Sequence, residues 1–233
     1  MKIDKINIRK FKAVQTHTEI TPAAVSNESE AVSGSVTPVL FRSAAGMKNI
    51  VVGILFRGDD RETVETNISD LTALLMDPHV LTIEDRPFLY HVALTGFDQA
   101  DLHPAGVFTK VTYNFIGYAC GTRKKMDFDQ ALTAEWKIKG NIPTSAVLTI
   151  TPTLSIQSAT LTGFSEDPIT IRNLKKDQAV ILDGETGTVT QAGQNKFKDV
   201  DLWEFPRLLP GMQKVTCNVE SLKIHVEYNP RYL

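Results

Sequence analysis

The chain has 233 residues, 42% hydrophobic and 22% charged, so it can bury the core of one large or two ordinary domains and is not expected to be disordered. Its formal net charge of -2 disfavours a protein that grips a nucleic-acid backbone, because each phosphate contact requires a Lys or Arg. The two cysteines, Cys120 and Cys217, allow at most one bridge, and we expect both to be free thiols in a reducing compartment.

The first residues lack the apolar segment of a signal peptide. No apolar run approaches the roughly 20 residues that a membrane helix requires. We therefore expect a protein that is made in a cytoplasm, stays soluble there and has no membrane partner.

The beginning of the chain is predicted to combine strands with a polar arm. Residues 1–12 and 50–56 are predicted to be strands because isoleucines and valines recur in them. Residues 21–38 are rich in Ser, Thr, Ala and Glu and contain Pro22, Gly34 and Pro38, which predicts a loop or a mobile arm.

One principal helix is predicted over residues 60–76. Asp60 can cap its beginning, and Pro78 disfavours helical geometry beyond Asp77. The predicted buried stripe recurs at helical spacing and consists of Val64, Ile68, Leu71 and Leu75. A single amphipathic helix in a β-rich chain should lie across a sheet and bury this stripe.

Further strands are predicted at 80–83, 88–94 and 107–119, the last with clean alternation of apolar and polar residues. The polar, basic segment that follows predicts a domain boundary. We expect a sheet-plus-helix domain over 1–121 and a linker over 122–130.

Residues 131–233 are predicted to be β only. Short candidate strands lie at 147–151, 154–156, 169–171, 180–182, 215–219 and 222–228, separated by turn residues. Strands at this spacing without a helix indicate a β-sandwich. The predicted fold class is therefore mainly β with one principal α-helix.

Motifs for common catalytic chemistry are absent. There is no phosphate-binding glycine loop, no GxGxxG and no GxSxG, and the histidines are scattered at positions 17, 79, 91, 103 and 225. Asp98 with Asp101, or Asp199 with Asp201, could be paired carboxylates, but solvated loop positions are the simpler interpretation. We assign no catalytic, cofactor-binding or metal-binding residue, no cofactor and no enzymatic activity, and the binding residues are unknown.

Three other features have both a functional and a structural interpretation. The turn 183–187 lacks the acidic pattern of a calcium loop, and a hairpin turn is favoured. The basic run 123–125 has no interleaved aromatic residues, which favours a solvated linker over a nucleic-acid contact. Trp136 and Trp203 could stack on a sugar ring, although aromatic residues packed within a sandwich are more common.

Several stretches resemble siphophage distal tail proteins. Near the C-terminus these are VILDGETGTV at 180–189, LWEFPRLLPG at 202–211 and the strand ending EYNPRY at 227–232, which are similar to the family's DGxxG turn, FPxLxPG turn and closing YxPR strand. IVVGILFRGD at 50–59, which leads into the helix, and YNFIGY at 113–118 look like the family's N-terminal ring domain. Residues 13–48 match no known motif.

This resemblance implies a structural virion protein without enzymatic activity. Members of the family form a hexameric ring at the distal end of a long non-contractile tail, join the tail tube to the baseplate or tip proteins and leave a channel for DNA. It implies a ring-forming first domain and a galectin-like β-sandwich as the second. The implied partners are further copies of the chain, the tail tube protein, a tail-associated hub or tip protein and a receptor-binding protein. Genomic DNA would pass without specific binding. The implied location is the tail tip of the virion, assembled in the host cytoplasm.

Two other functions are weighed against the tail ring. A carbohydrate-binding module that attaches to host surface glycans would use Trp136 or Trp203. A cell-wall hydrolase would need a catalytic constellation that the sequence does not contain.

Within the ring hypothesis, residues 21–38 are a candidate arm that orders on a neighbouring copy, with a plain mobile loop as the alternative. We also expect Phe205, Leu208 and Leu209 to have a structural role.

Overall fold

The computed structural model describes residues 1–31, 33–34, 36–84 and 86–233. The chain divides into two units, Met1–Cys120 and Gly121–Tyr232.

The first unit is an antiparallel sheet with a helix on one face. Its strands are β1 (Lys2–Ile3), β2 (Ile6–Asn7), β3 (Ala13–Thr21), β4 (Val25–Glu30), β5 (Val39–Ala45), β6 (Lys48–Arg57), β7 (His79–Thr82), β8 (Leu89–Asp101) and β9 (Phe108–Cys120). The helix α1 spans Arg61–Leu74, and a 3-10 helix spans Ile8–Phe11. The sheet has the order β2-β1-β7-β8-β9-β6-β3, while β4 and β5 pair only with each other.

The predicted helix is confirmed, and its boundaries follow from capping. Asp60 Oδ1 accepts a hydrogen bond from the backbone N–H of Thr63 at 2.7 Å, which satisfies one of the free donors at the helix start. The predicted apolar stripe is buried, and Thr72 lies 2.8 Å from the hydroxyl of Tyr113 on β9. The helix therefore covers the face of the sheet on which the buried residues of β6 and β9 lie.

Two predictions for the first unit are wrong in detail. Residues 1–12 are not one strand, because Asp4 and Lys12 adopt left-handed backbone angles that break the segment into β1, β2 and the 3-10 helix. Residues 21–38 are not irregular throughout: residues 25–30 form β4, which pairs with β5 in an exposed antiparallel ribbon. Val32 and Ser35, within the predicted arm, lie outside the described residues.

The second unit consists of two antiparallel sheets. Its strands are β10 (Lys124–Asp129), β11 (Thr133–Ile138), β12 (Thr144–Pro152), β13 (Ile156–Thr162), β14 (Ile169–Leu174), β15 (Val180–Asp183), β16 (Thr188–Gln191), β17 (Gln194–Asn195), β18 (Val200–Asp201), β19 (Arg207–Leu208), β20 (Gly211–Cys217), β21 (Leu222–Tyr228) and β22 (Arg231–Tyr232). One sheet has the order β10-β21-β12-β15-β16-β17, with β19 also on β12, and the other has the order β11-β20-β13-β14-β18.

The two sheets of this unit enclose a common core, as in a β-sandwich. Leu148 and Val226 from the first sheet and Leu161 and Val215 from the second are fully buried in one apolar cluster. Within the described residues, α1 is the only α-helix, so the prediction of a mainly β chain with one principal helix is confirmed. The likeness of the second unit to a galectin remains a prediction.

The predicted linker is corrected by the structure. Residues 124–129 of the expected 122–130 linker form β10, which pairs with β21 along its whole length. The polar, basic run suggested a solvated connector, but Lys125 lies opposite Glu227, and Asp127 lies opposite His225, on β21. Both cysteines are buried and are not joined in a disulfide. Within the described ranges, no helix has the length and apolar character needed to cross a membrane.

Candidate functional site

The carboxylates considered as catalytic pairs are held in separate polar contacts. Asp101 binds Arg61 at 3.0 Å and accepts a hydrogen bond from Thr109 at 2.9 Å. Asp199 binds Lys196 at 2.9 Å, and that contact is the main cause of the lowered pKa of this carboxyl group. Asp101 and Asp199 therefore have partners that stabilise loops and strand ends.

The histidines also have local partners. His79 Nδ1 lies 2.7 Å from Asp4, and its Nε2 contacts the carbonyl of Leu74 at the end of α1. The ring of His91 stacks on Tyr118 with 5.0 Å between centroids. Across the part of the chain that the structure describes, no group of three or more His, Cys, Asp or Glu is arranged to hold a metal ion.

The basic run at 123–125 takes part in a charge network on the outer face of the sandwich. Lys125 and Arg123 bind Glu227 at 2.7 and 3.0 Å, and Arg123 also approaches Glu185 at 3.5 Å. The hydrogen bond from Lys125 is the main cause of the lowered pKa of Glu227. These cations are balanced by carboxylates of the same unit, which argues against the nucleic-acid interpretation.

His225 lies on the same face, between two carboxylates. Its Nδ1 is 2.5 Å from Asp127, and its Nε2 is 3.3 Å from Glu227. The hydrogen bond to Asp127 raises the pKa of His225 above its ordinary value. Protonation of this ring adds a third cation to the network, so the network is sensitive to pH near neutrality.

The two tryptophans have opposite environments. Trp136 packs edge-on against Phe128 and also contacts Phe164, with centroid distances of 6.1 and 6.2 Å. It is half-buried and packs against the sandwich core, so its ring is less accessible as a platform for a sugar. Trp203 is 86% exposed, so the sugar-stacking interpretation rests mainly on this residue.

The two turns singled out from the sequence lie against each other. Asp183 Oδ1 accepts hydrogen bonds from the N–H groups of Glu185 and Thr186 at 2.7 and 3.1 Å, which fixes the DGxxG turn. Gly184 donates its N–H to the carbonyl of Ala146, whose own N–H is bonded to the carbonyl of Pro206, both at 2.9 Å. The motif residues therefore hold the fold together.

The three residues of the FPxLxPG turn that were predicted to be structural are buried to different degrees. Leu208 is fully buried, as expected, whereas Leu209 is 51% exposed and the prediction that it is structural is wrong. Phe205 is half-buried and lies against Phe197, with 6.2 Å between ring centroids.

The most distinctive surface of the first unit is the ribbon formed by β4, β5 and their connection. Every described residue from 25 to 43 is exposed. The exposed apolar side chains are Val25 (55%), Val36 (102%), Val39 (45%), Leu40 (58%) and Phe41 (64%). A two-stranded ribbon is only marginally stable in water by itself. This ribbon is therefore a candidate interaction surface, which the sequence indicated only as an arm.

Comparison with known proteins gives a family match for the C-terminal part of the chain. Residues 139–232 match the family model of the siphovirus-type tail component, C-terminal domain. Over these residues the chain is similar to siphovirus-type tail components. The matched range contains the DGxxG turn, the FPxLxPG turn and the closing strand, so the resemblance read from these motifs is confirmed.

Solved structures share the fold of this chain over nearly its whole length. The crystal structure of the SPP1 Dit protein, described as a paradigm of the hub adsorption apparatus in phages that infect Gram-positive hosts, has a TM-score of 0.73 at 13% identity and covers 100% of this chain and 98% of that one. The phage P2 baseplate in its activated conformation with Ca has a TM-score of 0.62 at 11% identity, covering 94% and 90%. A comparison with curated proteins finds no match.

The match over residues 139–232 and the shared fold are both with proteins of phage tails and baseplates. The exposed ribbon is the surface of the first unit that is most suited to contact with another protein in an assembly.

Proposed function

We propose that this chain is a tail component whose copies close into a six-membered ring at the distal end of a long non-contractile tail. The ring joins the tail tube to the baseplate or tip proteins and leaves a channel through which the genome passes. Its partners are the tail tube protein, a hub or tip protein and a receptor-binding protein. The observation that carries the proposal is the exposed, partly apolar ribbon in a chain whose residues 139–232 match a siphovirus tail-component domain.

The ribbon supplies enough apolar surface to support a contact between copies, but not a strong contact between two copies alone. Covering the exposed parts of its five apolar side chains gains about 5–8 kcal/mol. Association of two proteins costs about 4–15 kcal/mol in lost freedom of motion. One ribbon contact is therefore weak, and assembly depends on concentration.

Ring closure changes this balance. In a ring of identical copies each subunit makes two contacts, because a surface of one copy meets a different surface of the next. The last contact forms within one assembly and benefits from a high effective concentration. A ring is therefore stable under conditions in which an isolated pair is not, and the growing tail supplies a template for it.

The charge of the chain suits a conduit for DNA. A net charge of -2 leaves no excess of cations to retain a polyanion, and Arg123 and Lys125 are engaged by carboxylates. DNA therefore passes without specific binding. The protein has no enzymatic role in this proposal, and the ring is assembled in the host cytoplasm before it becomes part of the tail tip.

Excision of the ribbon tests the proposal. The ends of the ribbon adjoin, since the N–H of Gly46 is bonded to the carbonyl of Ala24 at 2.7 Å, so residues 25–45 can be replaced by an Asn-Gly turn without disturbing the pairing of β3 with β6. We expect sedimentation velocity to show concentration-dependent rings for the parent chain and folded monomers for the excised variant. An excised variant that still forms rings of the parental size would remove the ribbon from the interface.

The exposed ring of Trp203 keeps a second function open, attachment to host surface glycans. If the second unit binds a sugar there, titration with cell-wall polysaccharide changes the fluorescence of Trp203, and a Trp203→Ala variant does not bind. Unchanged fluorescence at saturating polysaccharide would exclude this site.

A further inference from the structure

A basic recess lies in the first unit at the end of the β3–β6 pair that is far from the ribbon. It has a volume of about 750 Å³, and its wall includes Arg9, Lys12, Val14, Arg57, Asp59 and Phe108. The left-handed backbone of Lys12 turns the chain from the 3-10 helix into β3, and the N–H of Arg57 binds the carbonyl of Lys12 at 3.3 Å. This turn places cations from two distant parts of the sequence around one opening.

The recess combines unbalanced positive charge with apolar surface. Lys12 approaches Asp59 at 3.5 Å, whereas the side chains of Arg9 and Arg57 form no ion pair within 4.0 Å in the described ranges. Val14 and Phe108 are 51% and 43% exposed beside these cations. Such a surface matches a segment that carries carboxylates next to apolar side chains.

The ribbon has this complementary character. Glu28 and Glu30 are exposed on β4, and the apolar residues Val39, Leu40 and Phe41 follow one another at the start of β5. Glu28 lies opposite Arg42 in the ribbon, so Glu30, next to the connection, is the less compensated of the two carboxylates.

Geometry excludes a contact of the ribbon with the recess of the same copy. The strand β6 begins at Lys48, next to the ribbon, and ends at Arg57, in the wall of the recess. At about 3.3 Å per residue, these two ends lie roughly 30 Å apart. The ribbon does not fold back along the sheet, because its described residues are exposed. Two complementary surfaces at opposite ends of one unit are what a head-to-tail contact requires.

We propose that the recess formed by Arg9, Lys12, Val14, Arg57 and Phe108 receives the ribbon of a neighbouring copy. Glu28 and Glu30 face Arg9 and Arg57, while the apolar residues of β5 cover Val14 and Phe108. This inference rests on the proposed ring and specifies which surfaces meet in it.

Complementary charge reversals test the contact. One variant carries Arg9→Glu with Arg57→Glu, and the other carries Glu28→Lys with Glu30→Lys; all four side chains are exposed, so both variants should fold. We expect each alone to need a concentration at least about ten-fold higher for assembly, because like charges then face each other. A control for the first variant, Lys175→Glu with Lys176→Glu, makes the same change of net charge on the second unit and should assemble like the parent chain.

Mixing the two variants should restore assembly. In an equimolar mixture every contact joins an acidic to a basic surface if the two variants alternate, and a ring of six closes with this alternation. A chain that carries all four substitutions should also assemble alone. If each variant alone assembled like the parent chain, or if the mixture did not assemble, the proposed contact would be wrong, while the ring itself would still stand. A parent chain that stays monomeric at all concentrations would overturn both the ring and the contact.

Discussion

The substitution Gly184→Ala should disrupt the contact between the two turns of the sandwich. A Cβ at this position would collide with the carbonyl oxygen of Pro206 and would lie 2.7 Å from that of Ala146. Both obstacles are backbone atoms, so relief requires a movement of the turn or of β12. Overpacking of this kind costs about 1–3 kcal/mol, and the two backbone hydrogen bonds at this contact are worth about 1 kcal/mol each.

We expect Gly184→Ala to lower the free energy of unfolding of the second unit by about 2–4 kcal/mol, which corresponds to a midpoint roughly 10–15 °C lower. Both tryptophans lie in this unit, and Trp136 packs against its core. In a Trp203→Phe background, the fluorescence of Trp136 therefore follows unfolding of the second unit alone. Thermal and urea transitions recorded in this way give the change directly.

A second glycine supplies the control. A Cβ at Gly193 would meet nothing within 4 Å, and its φ of 76° leaves only the cost of a left-handed backbone, about 1 kcal/mol. If Gly184→Ala changed the free energy of unfolding by less than about 0.5 kcal/mol, or by no more than Gly193→Ala, the contact between the turns would not have the role assigned to it.

Two further predictions concern the second unit. Leu208→Ala should destabilise it by about 2–5 kcal/mol because Leu208 is fully buried, whereas Leu209→Ala should change the same fluorescence transition little; equal effects would contradict the burial assigned to them. The imidazole of His225 should titrate in NMR spectra with a pKa above 6.5, and Asp127→Asn should lower this pKa. Because the folded-state pKa is raised, the stabilisation by His225 is present below about 6.5 and is lost as pH rises through the folded-state value. A pKa unaffected by Asp127→Asn would show that the hydrogen bond is not its cause.

The sequence was most informative where local signals agree with the tertiary structure. Asp60, the apolar spacing of α1 and Pro78 define a helix without reference to other parts of the chain. The alternation of apolar and polar residues along β9 also predicts its buried face locally, since successive side chains of a strand point to opposite faces of the sheet. The family resemblance could be read because its turns need particular residues, such as Gly184.

The ribbon was not predicted because its strands have no buried face. Every side chain of β4 is exposed, so no alternation of apolar and polar residues exists in it. The apolar run at Val39, Leu40 and Phe41 was the available signal for β5. The strand β10 was missed for a different reason: its charges are paired across the sheet with those of β21, and such pairing depends on residues about a hundred positions away.

The basic recess also had no local signature. Arg9 and Arg57 are distant in sequence and are brought together by the pairing of β3 with β6 and by the left-handed residue Lys12. Nothing in the residue type of Lys12 indicates that conformation, which Lys12 adopts as the C-cap of the 3-10 helix, with its N–H bonded to the carbonyl of Arg9.

Direct imaging of the purified chain at high concentration tests the central claim. The proposal predicts closed rings with six-fold symmetry in electron micrographs, with density for the β4–β5 ribbon of each copy placed on the next copy. Particles that remain monomeric up to the solubility limit and show no closed ring in any view would contradict it.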